Sequence, residues 1–334
     1  MDSSAATYDA LLARITTWAK AEPNIRALAV FGSQARQDDP ADEWSDLDLA
    51  LVAKRPAVYL ADDQWLGRLG PLWLSHYVRA PVGGLDEQRA VFDGALELDV
   101  VVLPVRKLQL ARLALGIVSR IPAAAGLLPI GFRRALAGMA ESFGHGARIL
   151  VDKDGLLRPL PSTQLEIQES TKPTEKQFLA VAEGFWHGSI WVAKHLRRGE
   201  LWRAKDGCDA RMKMSILQLA EWHTKAIKGW SFNTWAQGRF LERWADPRIV
   251  AALGDAFARY EVEDVWRALF ATMALFRWLG CETAAKLDLT YPTFAEEHAT
   301  EWVNRCFAER ESVPCVRSGS IKLGASGTKN SGRG

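Results

Sequence analysis

The chain has 334 residues, of which 48% are hydrophobic and 25% are charged, and this composition excludes a disordered chain and provides enough apolar side chains for two domains. The formal net charge is +2, but residues 1–100 hold 16 acidic against 9 basic side chains, a local balance of −7. An acidic segment of this kind disfavours binding to nucleic-acid phosphate and favours a cationic partner.

The first half of the chain combines one clear helix with several strands. Residues 8–21 carry apolar side chains at helical spacing, and Pro23 ends the pattern. The segment 62–78 is predicted to be a broken helix or loop because Pro71 interrupts it, and residues 107–150 are predicted to be mostly helical. Strands are predicted near 26–31, 47–53 and 96–103.

The second half is predicted to be all-helical. Apolar residues recur every three or four positions over 178–196, and the pattern repeats over 209–228 and 263–285. A turn and a proline-containing linker follow the first half, so we expect a domain boundary after residue 155. The predicted fold class is α+β: a domain with a mixed sheet and helices over 1–155, then a helical bundle over 156–311.

Further expectations concern the cellular location, the cysteines and the C-terminal segment. The N-terminus carries no basic, apolar leader, and no apolar run reaches the length of a membrane span. The four cysteines are widely spaced, which is typical of free thiols in a reducing compartment. We therefore expect a cytoplasmic protein that contacts no membrane. Residues 312–334, rich in Ser, Gly and Lys, are predicted to form a flexible tail.

The most informative motif joins a Gly-Ser turn to a pair of carboxylates. Gly32 and Ser33 follow the first predicted strand, and Asp46 and Asp48 open the second. Residues two apart in a strand point to the same face, so the two carboxylates project together. Glycine allows a phosphate to approach the backbone, while the serine hydroxyl and nearby amides offer hydrogen-bond donors. Together these features predict a phosphate site beside a metal site.

A third carboxylate, Asp99, lies in the apolar strand over 96–103. Burying a carboxylate is costly unless a cation or a metal accompanies it. If this strand is a neighbour of the second one, Asp99 stands beside Asp46 and Asp48. Magnesium prefers oxygen ligands and is usually held by one or two carboxylates together with substrate phosphates. Each piece alone is common in ordinary turns, but their order along the chain predicts a magnesium-dependent phosphoryl-transfer site.

This order of residues resembles the nucleotidyltransferase superfamily with the polymerase-β-like fold. Within it, the chain is similar to the aminoglycoside 6-adenylyltransferases, also called streptomycin adenylyltransferases, over roughly residues 5–305. The supporting segments outside the three strands are Val91-Phe92-Asp93-Gly94, Pro173-Thr174-Glu175-Lys176, Phe185-Trp186, Val192-Ala193-Lys194, Leu219-Ala220-Glu221-Trp222, Val265-Trp266 and Tyr291-Pro292.

The chain departs from the family pattern around the turn and on one helix. The family usually has Asn before Gly-Ser and Arg after it, where this chain has Phe31 and Gln34. Arg36 instead gives the Gly-Ser-x-Ala-Arg form found elsewhere in the superfamily. Gly184 stands where the family has Glu before Phe-Trp. These differences concern the triphosphate contact and the sugar specificity and leave the three aspartates unchanged.

The resemblance implies a catalytic nucleotidyltransferase domain followed by a helical substrate-binding domain, with ATP as co-substrate and Mg²⁺ as cofactor. Three aspartates would hold the metal, and one of them, Asp99, would also act as the base. The implied residues are Asp46, Asp48 and Asp99 for catalysis and metal binding; Gly32, Ser33, Arg36 and Lys194 for the nucleotide; and Glu183 and Trp186 for the acceptor.

The expected reaction is transfer of AMP from ATP to a hydroxyl of a polycationic, streptomycin-like aminoglycoside, with release of pyrophosphate and resistance to the antibiotic. Two alternatives remain open: a nucleotidyltransferase that acts on another small molecule or on a protein hydroxyl, and a non-catalytic binding protein with the same fold. On the helical half, Glu183 and Lys194 could equally form the solvated face of an amphipathic helix. Trp222 is a further candidate for sugar contact.

Overall fold

Two compact units, Met1–Gln168 and Glu169–Gly334, make up the chain in the computed structural model. The described residues are 7–35, 41–42, 44–79, 85–120, 147–157 and 172–310. Arg36 and the predicted tail over 312–334 lie outside them. The domain limits predicted at residues 155 and 311 remain predictions.

Unit 1 is built on a mixed sheet whose described strands are β1 Ile25–Phe31, β2 Leu47–Ala53, β3 Leu72–Val78, β4 Asp86–Phe92, β5 Leu96–Pro104 and β6 Arg148–Asp152. Their order across the sheet is β3-β4-β5-β2-β1-β6. The β2–β5 pair is parallel, whereas the other four pairs are antiparallel. The two central strands, β5 and β2, therefore begin at the same edge of the sheet.

Helices flank this sheet: α1 Tyr8–Ala21, the short α2 Ala57–Leu60 and α3 Val105–Arg120. Alternate residues of β2 pack on opposite faces, with Leu49 on the α1 side and Ala50 on the side of Leu108. Thr7 caps the N-terminus of α1: its side-chain oxygen accepts a hydrogen bond of 3.2 Å from the backbone N–H of Ala10. The predicted helix over 8–21 and the predicted mixed sheet are confirmed.

Two sequence predictions in unit 1 were wrong. The segment 62–78, predicted as a broken helix or loop, forms a short 3₁₀ helix, Leu66–Arg68, and then strand β3. Pro71 does not interrupt that strand, because it precedes the first strand residue and only its carbonyl is used, accepting from the Asp93 N–H at 2.9 Å. The helical prediction over 107–150 holds for α3 but not for β6, which pairs with β1; residues 121–146 lie outside the described chain.

Unit 2 is helical throughout its described residues, as the sequence predicted. Its longest helix, residues 262–287, packs against the helix over 175–197 through stacked rings of Phe185 and Phe276, whose centroids are 3.6 Å apart. A π-helical turn, Gly207–Arg211, lies between the helices over 201–206 and 212–228. The α-helices are α4 Glu175–Arg197, α5 Leu201–Asp206, α6 Met212–Lys228, α7 Leu241–Trp244, α8 Pro247–Ala256, α9 Val262–Leu287 and α10 Thr293–Ala308.

Local sequence explains where α4 begins. Thr174 accepts from the Gln177 N–H at 3.3 Å, and the Gln177 side chain accepts from the Thr174 N–H at 2.9 Å, so the two form a capping box. The apolar stripe predicted over 178–196 lies wholly within α4, which has 23 residues. Across the described parts of both units, no helix has the length and apolar content needed to cross a membrane.

Candidate active site

Three aspartates converge at the edge of the sheet where β2 and β5 begin. The parallel register pairs Asp48 with Asp99, and Asp46 precedes β2 by one residue. One carboxylate oxygen from each of the three lies within 4.8 Å of the others, and all three residues are partly buried. Carboxylates this close repel one another, and a divalent cation relieves that repulsion. Three hard oxygen donors around one point fit Mg²⁺.

A tight turn directs Asp46 toward this point. The Asp42 carboxylate accepts hydrogen bonds from the Ser45 hydroxyl at 2.8 Å and from the Trp44 N–H at 3.1 Å. The Ser45 N–H donates to the Asp42 carbonyl at 3.2 Å, which closes the turn. Asp and Ser favour such turns because their short side chains bond to nearby backbone. The turn fixes the chain immediately before Asp46 enters the site.

Gly32 ends β1 directly against Asp48. Its φ is +68°, a left-handed conformation that glycine adopts without strain. A Cβ built on Gly32 would lie only 2.0 Å from Asp48 Oδ2. The Ser33 hydroxyl lies 3.5 Å from the Asp46 carbonyl oxygen, so both members of the Gly-Ser pair border the aspartates. Glycine is therefore required by the close approach of the backbone to the Asp48 carboxylate.

Two residues of β4 complete the surroundings of Asp99. Arg89 Nε lies 2.9 Å from Glu87 Oε1 and 3.4 Å from Asp99 Oδ2, so one guanidinium joins both carboxylates. The Glu87 side chain is only 6% exposed. The antiparallel register pairs Arg89 with Asp99, which explains the contact. We call this group of three residues the Arg89 clamp.

The pKa of Asp99 is raised from 3.8 to about 7, chiefly because the carboxyl is buried; the Arg89 guanidinium opposes this rise, whereas Glu87 and the charge of Asp46 contribute to it. A carboxylate that can hold a proton near neutral pH is suited to accept one from an attacking group. Tyr8 is a further neighbour: its hydroxyl accepts from the Glu97 N–H at 3.1 Å. Burial raises the pKa of Tyr8 as well, so the hydroxyl stays protonated at neutral pH.

Glu87, Arg89 and Tyr8 are not among the site residues predicted from the sequence. The available signal was the alternation of Glu87 and Arg89, which places both side chains on one face of a strand. That signal becomes useful only once Asp86–Phe92 is recognised as a strand next to β5.

Three further predicted site residues, Glu183, Trp186 and Lys194, lie on α4 in unit 2. Glu183 and Lys194 are exposed, and Lys194 Nζ lies 5.5 Å from the centre of the Trp302 ring. Trp186 is 2% exposed, and its indole N–H donates to the Tyr291 hydroxyl at 3.2 Å. Trp222, on α6, packs against Phe178. The roles predicted for these residues, and for Arg36 outside the described chain, remain predictions.

A mixed sheet, three clustered aspartates and a Gly-Ser turn against one of them are the features of a nucleotidyltransferase. The comparison with protein families gives the same enzyme class and identifies one family within it. The chain belongs to the streptomycin adenylyltransferase family, whose model matches residues 6–95 and 132–306. Both units are included in the match.

Individual relatives are distant but cover most of the chain. An aminoglycoside 6-adenylyltransferase of Campylobacter jejuni is 22% identical over 305 residues, which is 89% of this chain and 93% of that protein. An aminoglycoside 6-adenylyltransferase of Bacillus subtilis is 21% identical over 281 residues, 82% of this chain and 89% of that protein. A crystal structure of an aminoglycoside 6-adenyltransferase from Bacillus subtilis aligns with a TM-score of 0.41 at 18% identity, covering 89% of this chain and 97% of that one.

Proposed function

We propose that this enzyme transfers AMP from ATP to a hydroxyl of an aminoglycoside such as streptomycin, requires Mg²⁺, and releases pyrophosphate. The observation that carries the proposal is the cluster of carboxylate oxygens from Asp46, Asp48 and Asp99 within 4.8 Å of one another. The names of the relatives support the acceptor class, and the balance of −7 over residues 1–100 favours a cationic acceptor.

Asp46, Asp48 and Asp99 would hold Mg²⁺, which when bound neutralises charge on the triphosphate and on the leaving pyrophosphate. Gly32 and Ser33 would receive the β- and γ-phosphates, because the turn has no Cβ at its first residue and offers amides and a hydroxyl. Arg36 and Lys194, which the resemblance implies for the nucleotide, would contribute positive charge. These residues supply positioning and charge stabilisation, which account for most of catalysis in this type of reaction.

In the chemical step the acceptor oxygen attacks the α-phosphorus of ATP. The bond between the α-phosphorus and the oxygen bridging to the β-phosphorus breaks, and pyrophosphate leaves with its electron pair. Asp99 takes the proton of the attacking hydroxyl, and Arg89 and Glu87 hold the Asp99 carboxylate in place for this transfer. The products are an adenylylated aminoglycoside and pyrophosphate.

The test is an assay of pyrophosphate release from ATP with streptomycin, other aminoglycosides and neutral sugars, combined with mass spectrometry of the acceptor. We expect release that depends on both Mg²⁺ and an aminoglycoside, with AMP attached to the product. Asp48→Asn should remove turnover while circular dichroism and Tm stay close to wild type. Modification of a neutral metabolite or a protein, with no aminoglycoside modified, would show that the acceptor class is wrong and the enzyme class right.

A further inference from the structure

Unit 2 contains a cavity of about 730 Å³. Its volume lies in the range of pockets that bind small molecules, about 300–1,000 Å³. Trp186, Phe270 and Trp278 contribute aromatic walls, and Glu296 contributes a carboxylate. All the lining residues belong to unit 2, so the cavity is a property of that unit alone.

The carboxylate of Glu296 is the unusual feature of this cavity. Glu296 is 5% exposed, yet it lies on the wall of a space large enough for a ligand. Its oxygens bond with the Tyr291 hydroxyl and with Arg277, whose Nε lies 2.7 Å from Oε1. Tyr291 in turn accepts from the Trp186 N–H at 3.2 Å. Glu296 thus has one neutral hydrogen-bond partner, the Tyr291 hydroxyl, and Arg277 provides its counter-charge.

That arginine is on the solvent side. The Arg277 side chain is 68% exposed, whereas the Glu296 side chain is 7% exposed. A buried carboxylate needs a cationic partner, but the partner can be exchanged when it can move into water at little cost. Arg277 can make that move, while Glu296 cannot. A cationic group entering the cavity could therefore replace Arg277 without creating an unpaired buried charge.

The aromatic wall also accepts cations. The Arg248 guanidinium lies 4.2 Å from the centre of the Trp278 ring, a cation–π geometry. Arg248 is exposed, so a cationic group of a ligand could replace its guanidinium on the face of the Trp278 ring. An anionic ligand would have to bind near the fixed charge of Glu296, which it cannot displace. The cavity therefore favours a cation with a ring-sized body.

We propose that this cavity binds a cationic ring of the acceptor, with a guanidinium or ammonium group of that ring taking the place of Arg277 at Glu296. The proposal rests on the proposed function, since it assumes an aminoglycoside acceptor. Streptomycin, which carries guanidinium groups, is the probe. Trp186 acts here as a positioning residue that holds Tyr291 and, through it, Glu296.

The experiment measures streptomycin binding to the full chain by calorimetry without ATP, and the KM and kcat of transfer. Glu296→Gln should raise both the dissociation constant and KM at least about tenfold and change kcat much less, as expected for loss of one buried charged contact. Glu297→Gln alters the exposed neighbour on α10 and should leave both constants within about twofold of wild type.

Arg277→Ala separates a ligand site from a structural ion pair. Because the variant leaves Glu296 without its arginine, we expect a lower Tm in the free protein, tighter streptomycin binding, and recovery of Tm when streptomycin is added. If Arg277→Ala and Glu296→Gln bind streptomycin as wild type does while transfer proceeds, the cavity assignment is wrong and the proposed function stands. A changed affinity for ATP alone in these variants would make the cavity an anion site and overturn the proposal. If the wild-type chain neither binds nor modifies any aminoglycoside, both proposals fail.

Discussion

At the scale of single residues, Gly32 is the position where the backbone comes closest to the proposed metal site. A β-carbon there would lie 2.0 Å from Asp48 Oδ2, and the residue has a φ of +68°. Gly32→Ala should displace the Asp48 carboxylate and lower kcat about 100-fold, the effect expected from misplacing a reacting group by about 1 Å. Gly254→Ala is the matched control, because a Cβ on that helical glycine meets nothing within 4 Å. Near-normal kcat in Gly32→Ala would remove Asp48 from the metal site.

Asp99 allows a second prediction at this scale, in protein stripped of metal. Its folded pKa, raised to about 7, lies above the unfolded value of about 3.9. The folded state then binds the proton more tightly, so ionisation of Asp99 lowers stability as the pH rises from about 4 to about 7. Asp99→Asn removes this loss. The Tm of Asp99→Asn minus that of wild type should increase over this interval.

The size of the effect can be bounded. At pH 8 we expect Asp99→Asn to raise the free energy of unfolding by at least about 1 kcal/mol. In a unit of this size, that gain corresponds to a rise in Tm of about 2–4 °C. The measurement is thermal unfolding in EDTA from pH 4 to pH 8. A difference in Tm that is constant with pH would mean that Asp99 has an ordinary pKa in the folded protein.

In single-turnover transfer, Asp99→Asn should lower the rate of AMP transfer by about two to four orders of magnitude, the range for loss of a positioned base.

At the scale of elements, the β4–β5 hairpin provides the Arg89 clamp. Arg89 Nε lies 2.9 Å from Glu87 and 3.4 Å from Asp99, so Arg89→Met should leave two close carboxylates without their shared cation. The pKa of Asp99 should then rise further, and we expect kcat at pH 7 to fall at least about tenfold with the acid side of its pH profile moved upward.

Controls for the Arg89 clamp follow from the same contacts. Adding Glu87→Gln to Arg89→Met removes one of the repelling charges and should restore part of the pH profile. Arg106→Met changes an exposed arginine on α3 and should leave the profile in place. An unchanged profile in Arg89→Met would show that the arginine only stabilises the sheet.

The same hairpin shows where sequence reasoning stops. The long helices of unit 2 repeat their apolar spacing over many turns, so their type could be predicted. Strand β4, Asp86–Phe92, begins with four polar residues and gives no clear alternation, although it faces Asp99. The closeness of Asp48 and Asp99 depends on a parallel pairing across more than forty intervening residues, which local spacing does not determine. The sequence therefore supplied the three aspartates but not Glu87 and Arg89.

At the scale of the whole molecule, charge is divided unevenly along the chain. Residues 1–100 carry a balance of −7, whereas the complete chain carries +2. The three clustered aspartates lie within the acidic part, so the polycationic acceptor that we propose would be attracted to them. A neutral acceptor would gain nothing from this field. The distribution of charge thus leads to a test of the acceptor class that needs no substitution.

The test is the dependence of KM on ionic strength. Salt screens charges over a Debye length of about 10 Å at 0.1 M and about 30 Å at 0.01 M. Between about 0.02 and 0.3 M KCl, with free Mg²⁺ held constant, the KM for streptomycin should rise several-fold. The value of kcat should change little, because the charges at the reacting centre are close together and partly buried. A weakly charged acceptor analogue modified by the enzyme serves as the control, with a KM nearly independent of salt. If the KM for streptomycin is equally insensitive, long-range attraction plays no part in acceptor binding, and contacts within the binding site must account for its affinity.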